Sequence, residues 1–187
     1  MRKHRIAAVA CLTLALTAGM VFAAEGLKSG PQVGQKVPGP FHPLNINGEA
    51  AGQKFCLYCK NGDNPVAMVF AREVNEPVTK LIKKLDACTG KHSDASMGSF
   101  VVFLSDSEGL AKELKEVAEK QELKHTILSI DNAAGPKAYN VDKDADITVV
   151  LYTAHEVKAN YAFKKGQLKD KEMDKIVADV SKILPTK

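Results

Sequence analysis

Four apolar runs of strand length, separated by segments with helical periodicity, constrain the fold more than any other feature of this sequence. The first run, 66–71, follows Pro65 and is apolar at all six positions, which is typical of a central strand buried on both faces. Three further runs predict strands at 100–104, 126–130 and 147–152. Apolar residues at three- and four-residue spacing predict helices at 76–87, about 110–117 and 172–183. Because strands and helices alternate, we expect an α/β domain.

The remaining segments predict how this core begins and ends. Asn47-Gly48 is a strong tight-turn signal and predicts a small hairpin at the start of the domain. Residues 55–58 predict a short strand, and a turn over 61–65 leads into the first apolar run. The segment 157–163 is predicted to pair antiparallel with the preceding strand, which gives the sheet a mixed edge.

The first 23 residues have the features of a secretory signal peptide. Arg2, Lys3 and Arg5 form a positive n-region, an almost uncharged apolar run follows, and Val21-Phe22-Ala23 is a small-residue cleavage site. The apolar run is shorter than the roughly 20 residues that a bilayer-spanning helix needs. We therefore expect an exported protein, periplasmic or extracellular, with a loose glycine- and proline-rich leader segment at 24–40 and a domain at 41–187.

Removal of the signal peptide leaves a nearly neutral chain. The full chain has 26 Lys and Arg against 22 Asp and Glu, and 1–23 contains three of the basic residues and none of the acidic ones, which leaves 23 against 22. That balance gives no electrostatic basis for binding nucleic acid or an anionic membrane surface. We therefore expect neither partner for the mature protein.

Short motifs along the mature chain carry a resemblance to a known superfamily. They are Val33-Gly-Gln-Lys-Val-Pro38 followed by Phe41, the strand end Phe70-Ala71, the segment 131–141 with its Ala-Tyr-Asn-Val ending, and the strand 148–152. With these motifs the chain resembles the redoxin branch of the thioredoxin-like superfamily, which includes peroxiredoxins and exported thiol-disulfide proteins. The resemblance implies a thioredoxin-like α/β fold, a central mixed sheet flanked by helices, here with an N-terminal hairpin extension.

The family's reactive cysteine is missing from its usual position. In redoxins that cysteine follows the central strand at the N-terminus of the next helix, where backbone N–H groups and the helix dipole stabilise a thiolate. Here the corresponding segment, 71–77, contains no cysteine, and Ile147 precedes Thr148 where the family tends to place a cis-proline. Catalysis at the usual site is therefore not expected.

The chain instead has a C-x-x-C motif upstream of the central strand, at Cys56-Leu57-Tyr58-Cys59. This spacing serves redox pairs, metal sites and small structural disulfides alike. A six-residue strand rises roughly 20 Å, and twelve helical residues return about 18 Å. We therefore predict that Cys56, Cys59 and Cys88 all lie at the base of the sheet, the end opposite the usual site.

Three mature cysteines allow three disulfide pairings, 56 with 59, 56 with 88, and 59 with 88. An oxidising exterior favours at least one bond. Such a bond either fastens a structural element, or Cys56 and Cys59 form a redox pair with Cys88 as a third, resolving thiol. In the redox case the protein is a thiol-disulfide oxidoreductase, with protein thiols or disulfides as partners.

Two other readings come from different functional classes. Cys56, Cys59 and Cys88, with His42 or His92, would supply thiolate and imidazole ligands suited to zinc or Cu(I). Alternatively, the chain is a non-catalytic thioredoxin-fold scaffold that binds a protein or a small ligand, because both usual catalytic elements are absent.

Overall fold

The computed structural model describes residues 26–185, so the predicted signal peptide lies outside the described residues. Within them six strands form one sheet in the order β1-β4-β3-β2-β5-β6. β2, β3 and β4 are parallel, whereas β1, β5 and β6 join antiparallel. The strands are β1 Leu44–Asn45, β2 Val66–Ala71, β3 Gly98–Leu104, β4 Thr126–Asp131, β5 Ile147–Thr153 and β6 Glu156–Phe163. The mixed sheet and the predicted terminal antiparallel pair are both confirmed.

Within 26–185, four α-helices accompany the sheet: α1 Leu57–Asn61, α2 Glu76–Lys91, α3 Leu110–Lys120 and α4 Asp170–Asp179. Asn75 caps α2, since its side chain accepts a hydrogen bond from the Val78 N–H at 3.0 Å. α2 extends four residues beyond its predicted end at 87, so Cys88 lies within the helix. No helix of the described residues is long and apolar enough to cross a membrane.

Period-two side-chain alternation along β2 divides the core between the two faces of the sheet. Ala67, Val69 and Ala71 pack with buried residues of α2, α3 and α4 on one face, which we call the helical face. Met68 and Phe70 pack on the other face against Phe41, Leu57 and Tyr139. All six β2 residues are buried, as the continuous apolar run predicts.

The described part of the leader, 26–40, is fastened to the sheet, which corrects the prediction of a loose segment. The buried Ser29 hydroxyl lies 2.6 Å from Thr148 Oγ1 and accepts a hydrogen bond from the Asp142 N–H at 2.9 Å. Val37 N–H donates to the His155 carbonyl at 2.8 Å, and its side chain is buried. Backbone and hydroxyl pairing therefore hold this Gly- and Pro-rich segment, although its composition indicates a loop.

The strand predicted at 55–58 is wrong, because this segment begins the short helix α1. Cys56 is the N-cap residue and its Sγ accepts a hydrogen bond from the Cys59 N–H at 3.0 Å. The hairpin signal at Asn47-Gly48 is confirmed in a looser form. The chain folds back so that Leu44 pairs with Lys54 and the Asn45 N–H donates to the Gln53 carbonyl at 2.9 Å.

Candidate redox site

Cys56 and Cys59 are joined by a disulfide bond, with an S–S distance of 2.06 Å. The i, i+3 spacing at the start of α1 brings the two side chains to the same face of the helical turn. Cys56 is buried, with only 6% of its surface exposed, whereas Cys59 is exposed. Cys59 is therefore on the accessible side of α1, whereas Cys56 lies beneath it and its sulfur accepts the Cys59 N–H.

The disulfide lies at the predicted base of the sheet. β2 begins at Val66 opposite Tyr152, near the end of β5, and the loop between α1 and β2 contacts the β5–β6 turn. In that contact Ala154 N–H donates to the Asp63 carbonyl at 2.9 Å. The parallel strands begin at this end, so the C-x-x-C is at the opposite end of the sheet from the usual redoxin site.

His155 links the β5–β6 turn to Tyr58, one of the two residues between the cysteines. Its ring centroid lies 4.6 Å from that of Tyr58, and its Nε2 is 3.3 Å from Asp63 Oδ1. Ala154 and His155 both have positive φ values, 48° and 61°, which is the left-handed region that few side chains adopt. The turn therefore holds an imidazole beside α1 at some cost in backbone strain.

Cys88 also lies at the base of the sheet, but on the opposite face of the sheet from α1. It is the free cysteine of the described residues, and it is buried in the core of the helical face, whereas Leu57 of α1 packs in the opposite core. Burial raises the pKa of its thiol, and the nearby Lys91 acts weakly against that rise. Of the three pairings that the sequence allows, Cys56 with Cys59 forms and neither pairing with Cys88 occurs; the roles of all three in catalysis stay predictions.

A groove borders the exposed side of α1. A cavity of about 390 Å³ is lined by residues of β1, of the loop after it, of α1 and of β4. A second depression of about 410 Å³ adjoins it, and the two have Glu49, Leu57, Lys60 and Ile127 in common. We call the two together the α1 groove.

The α1 groove contains one buried polar atom that lacks a partner within the described residues. Asn45 is only 2% exposed, lines the first cavity, and its Oδ1 accepts no hydrogen bond from the part of the chain that the structure describes. The neighbouring Asn47 uses both atoms of its side-chain amide, because it donates to the Thr126 carbonyl at 3.0 Å and accepts from the Leu128 N–H at 2.7 Å. Asn47 thereby pairs with the edge of β4 beyond the short β1.

The usual redoxin position is occupied by a polar network. Arg72 follows β2, and its guanidinium donates to the carbonyls of Ala133, Asp142 and Ala145 at 2.9–3.1 Å. Asn75 is occupied as the cap of α2. No cis peptide bond occurs among the described residues. The arginine ties together the loops that surround a redoxin's reactive thiol, and no thiol is present there.

Asp146 belongs to the same end of the molecule. Partial burial raises the pKa of its carboxyl, the negative Glu73 raises it further, and Lys165 and Arg72 act in the opposite direction. Lys165 is itself engaged with Glu73 at 2.7 Å. The network therefore favours order in this loop region and leaves one carboxylate partly desolvated.

The zinc or copper hypothesis gains no geometric site. Across 26–185 no group of three or more His, Cys, Asp and Glu side chains is arranged to hold a metal ion. Cys56 and Cys59 are bonded to each other and do not offer thiolate ligands in this structure, and Cys88 lies in the core of the helical face. Metal binding by the reduced protein with His42 or His92 stays a prediction.

Sequence reasoning missed Asn45 and His155. A lone Asn before a turn and a histidine in a hairpin have many ordinary explanations in a sequence. Their proximity to α1 arises from the β1–β4 pairing and from the β5–β6 turn, respectively, both long-range contacts. The Ala-His turn carries a weak signal at best, since glycine or asparagine is the usual residue there.

No protein-family model matches the chain, and no curated protein matches it, but solved structures do. A proposed protein disulfide isomerase from Bacteroides thetaiotaomicron aligns over 84% of this chain and 94% of its own at 15% identity, with a TM-score of 0.63. The reduced 2-Cys peroxiredoxin of Plasmodium vivax aligns over 81% of each chain at 16% identity, with a TM-score of 0.61. A secreted Mycobacterium tuberculosis disulfide oxidoreductase aligns over 75% of this chain and 94% of its own at 12% identity, with a TM-score of 0.57.

The chain therefore has the thioredoxin-like fold of the redoxins, as its motifs indicated. At these identities the similarity establishes the fold alone. Activity has to be argued from this chain's own residues.

Proposed function

We propose that this protein is a thiol-disulfide oxidoreductase that works through Cys56 and Cys59, at the end of the fold opposite the usual site. The observation that carries the proposal is the asymmetry of the bond, with an exposed Cys59 and a buried Cys56 whose sulfur accepts the Cys59 N–H at 3.0 Å. Exchange requires an accessible sulfur to attack and a leaving thiolate that is stabilised. The site supplies one of each.

The exchange proceeds in two balanced steps. A partner thiolate attacks the Cys59 sulfur, the Cys56–Cys59 bond breaks, and the electron pair leaves on Cys56 as a thiolate while a mixed disulfide forms at Cys59. A second thiolate of the same partner then attacks the partner's sulfur in the mixed disulfide. This attack forms the disulfide of the partner and releases the Cys59 thiolate. Two partner thiols are oxidised to a disulfide, the protein disulfide is reduced to two thiols, and solvent exchanges the protons.

The roles of the two cysteines are opposite to those of a thioredoxin-type pair, in which the N-terminal cysteine is the exposed one. Here burial protects Cys56 from direct attack, and the hydrogen bond from the Cys59 N–H stabilises the charge that it acquires on leaving. Cys59 is therefore proposed as the residue that forms the mixed disulfide, and Cys56 as the leaving group. Cys88 has no step in this scheme.

The test is to map the mixed disulfide. The oxidised mature protein is mixed with a single-thiol peptide, quenched in acid and digested, and the adduct is located by mass spectrometry. We expect the peptide on Cys59, and alkylation at neutral pH should spare the buried Cys88 until the protein is denatured. An adduct on Cys56 would reverse the assignment, and a bond that neither peptide nor dithiothreitol opens would refute the function.

A non-catalytic scaffold is the second candidate, and one observation favours it. The usual site is filled by Arg72 and its three carbonyl partners, an arrangement that orders loops and offers no nucleophile. In this case the disulfide only fastens α1 beside β2. The scaffold reading predicts a bond that resists mild reductants in the folded protein.

Export is part of the proposal, because a disulfide persists mainly in oxidising compartments. The signal-like 1–23 supports this placement, and protein thiols outside the cytoplasm are the proposed partners. Recovery of the protein from the periplasm or culture medium with Ala24 as its N-terminus would test it, whereas an uncleaved cytoplasmic chain would contradict it.

A further inference from the structure

We infer that the α1 groove binds an extended segment of the partner protein that carries the attacking cysteine, with an apolar side chain in the 390 Å³ cavity and a backbone amide on Asn45. This inference rests on the proposed function and names the substrate class of the same site. It concerns residues that the usual redoxin site does not include.

The first cavity has the lining of a side-chain pocket. Phe55, Leu57 and Ile127 contribute its apolar surface, and Phe55 is one of the large apolar side chains that remain exposed, at 39%. Asn45, Asn47 and Gln53 supply polar groups, and the 3.2 Å ion pair between Lys60 and Glu49 lies at its rim. Apolar walls with a few polar groups are typical of sites that bind organic ligands.

Asn45 indicates what kind of polar group the ligand carries. Its buried Oδ1 has no donor among residues 26–185, and an unpaired buried acceptor costs free energy that a ligand N–H would recover. Every residue of a peptide except proline supplies such an N–H at regular spacing. A backbone amide that approaches the cavity is therefore a matching donor.

The second depression extends the site beyond one side chain. It continues past Leu57 and Lys60 toward the start of β3, where Asn61, Ser96 and Ser99 line it. The groove therefore follows one side of α1 and has a mostly polar far end. An elongated site with an apolar pocket at one end fits an extended chain better than it fits a compact small thiol.

The position of Cys59 joins the groove to the chemistry. Leu57 and Lys60, which line both halves of the groove, are two residues before and one residue after Cys59 in the same short helix. Cys59 itself lines neither half of the groove, and because it follows Leu57 by two residues its side chain lies on a neighbouring face of α1. A segment that leaves the groove by crossing α1 would therefore bring a neighbouring cysteine thiolate to Cys59. Positioning of this kind accelerates a bimolecular attack by raising the effective concentration of the thiolate.

The experiment compares three reductants of the oxidised mature protein: a single-cysteine peptide with leucine beside the cysteine, the same peptide with glycine in place of leucine, and dithiothreitol. The measured quantity is the second-order rate constant for opening the Cys56–Cys59 bond. Phe55→Ala removes an apolar wall without touching either cysteine. Val33→Ala is the matched control, because Val33 is also exposed, at 62%, but belongs to the leader, which pairs with β6 at the opposite sheet edge.

We expect the leucine peptide to react about tenfold faster than the glycine peptide, as the burial of one apolar side chain would give. Phe55→Ala should remove most of the advantage of the leucine peptide and leave the rate constant with dithiothreitol within about twofold. In Val33→Ala the rate constants for both peptides should be unchanged. Asn45→Ala should slow both peptides and spare dithiothreitol, with folding checked by circular dichroism.

The groove inference would be overturned if the two peptides reacted at equal rates, or if Phe55→Ala lowered the rate constants with peptide and with dithiothreitol equally. Either result would leave the proposed oxidoreductase function standing. A preference for a small thiol or self-association through the groove would overturn the groove inference as well. No reaction with any of the three reductants would instead refute the proposed function itself.

Discussion

At the residue scale, both ends of this fold differ from the arrangement that is typical of redoxins. The end that normally carries the thiol has Arg72, whose guanidinium holds three carbonyls, and a capping Asn75. The base, normally without chemistry, carries a half-exposed disulfide beside Tyr58 and His155. Each of these residues has an ordinary polar or thiol side chain, and what it can do depends on its position in the sheet.

One titrating residue at the usual-site end gives a prediction of pH-dependent stability. Burial raises the pKa of Asp146 above the ordinary 3.8, so its contribution to stability is fully present below 3.8 and is lost as the pH rises through the folded value. Asp146→Asn should therefore increase the free energy of unfolding near neutral pH, and the gain should shrink as the pH falls toward 3.8. Urea unfolding across this pH range measures the difference.

The matched control is Asp144→Asn, because Asp144 is exposed in the same loop. A stabilisation that is equal for the two variants, or one that grows toward low pH, would contradict the burial argument for Asp146.

At the element scale, α1 is the helix that depends most on contacts outside its own backbone hydrogen bonds. Five residues are too few for a helix to be stable in isolation. α1 is held by the disulfide at its start, by the buried Leu57, and by the Asn61 side chain, which donates to the Leu57 carbonyl at 2.7 Å. The α1 groove is therefore sensitive to whether the Cys56–Cys59 bond is formed, because α1 is its wall.

Removal of the disulfide should cost little global stability. A bond that closes so short a loop contributes at most about 2 kcal/mol through the entropy of the unfolded chain. We expect the double variant Cys56→Ala/Cys59→Ala to lose about that much in urea unfolding and to keep its far-ultraviolet circular dichroism. The wild type measured in reductant is the control and should lose a similar amount.

A much larger loss, or unfolding of the whole chain on reduction, would show that the bond is a structural fastening, and would favour the scaffold over the oxidoreductase. A redox pair must open and close without dissolving the domain that carries it.

At the scale of the whole molecule, the two faces of the sheet are covered differently. α2, α3 and α4 cover one face, whereas the leader, α1 and the turn at Lys137–Tyr139 cover the other. Tyr139 is buried among Phe41 and Phe70, and its hydroxyl donates to the Gly39 carbonyl at 2.5 Å. The second core therefore depends on irregular segments that long-range hydrogen bonds hold in place.

Ser29 tests this dependence. Ser29→Ala would leave the Asp142 N–H and the buried Thr148 hydroxyl without their partner, and buried unsatisfied groups cost about 1–3 kcal/mol each. We expect the midpoint of urea unfolding to fall accordingly. Ser107→Ala is the control at an exposed position and should change stability by less than about 0.5 kcal/mol.

If the two serine variants behaved alike, the leader would be dispensable to the second core. The structure predicts instead that the leader and the sheet unfold together.

Particular segments explain why the sequence predicted some parts of this molecule and not others. The β2 run and the Asn75 cap are local patterns, and both elements formed where expected. Residues 55–58 are equally apolar, but their i, i+3 cysteines and the Cys56 cap favour a helical turn over a strand. The leader was misjudged because its partners, Thr148 and Asp142, are more than a hundred residues away.

The sequence by itself determined the alternating elements, the redoxin-like order, the missing thiol at the usual site and the C-x-x-C at the other end of the fold, since each depends on side-chain periodicity or on residue identity. Only the tertiary structure decided that Cys88 lies on the opposite face from the disulfide, that Cys59 and not Cys56 is exposed, and that Asn45 lines a groove beside them. The reason is physical: which face a residue occupies, and which atoms meet across the sheet, follow from strand register and packing between distant segments, which no local pattern encodes.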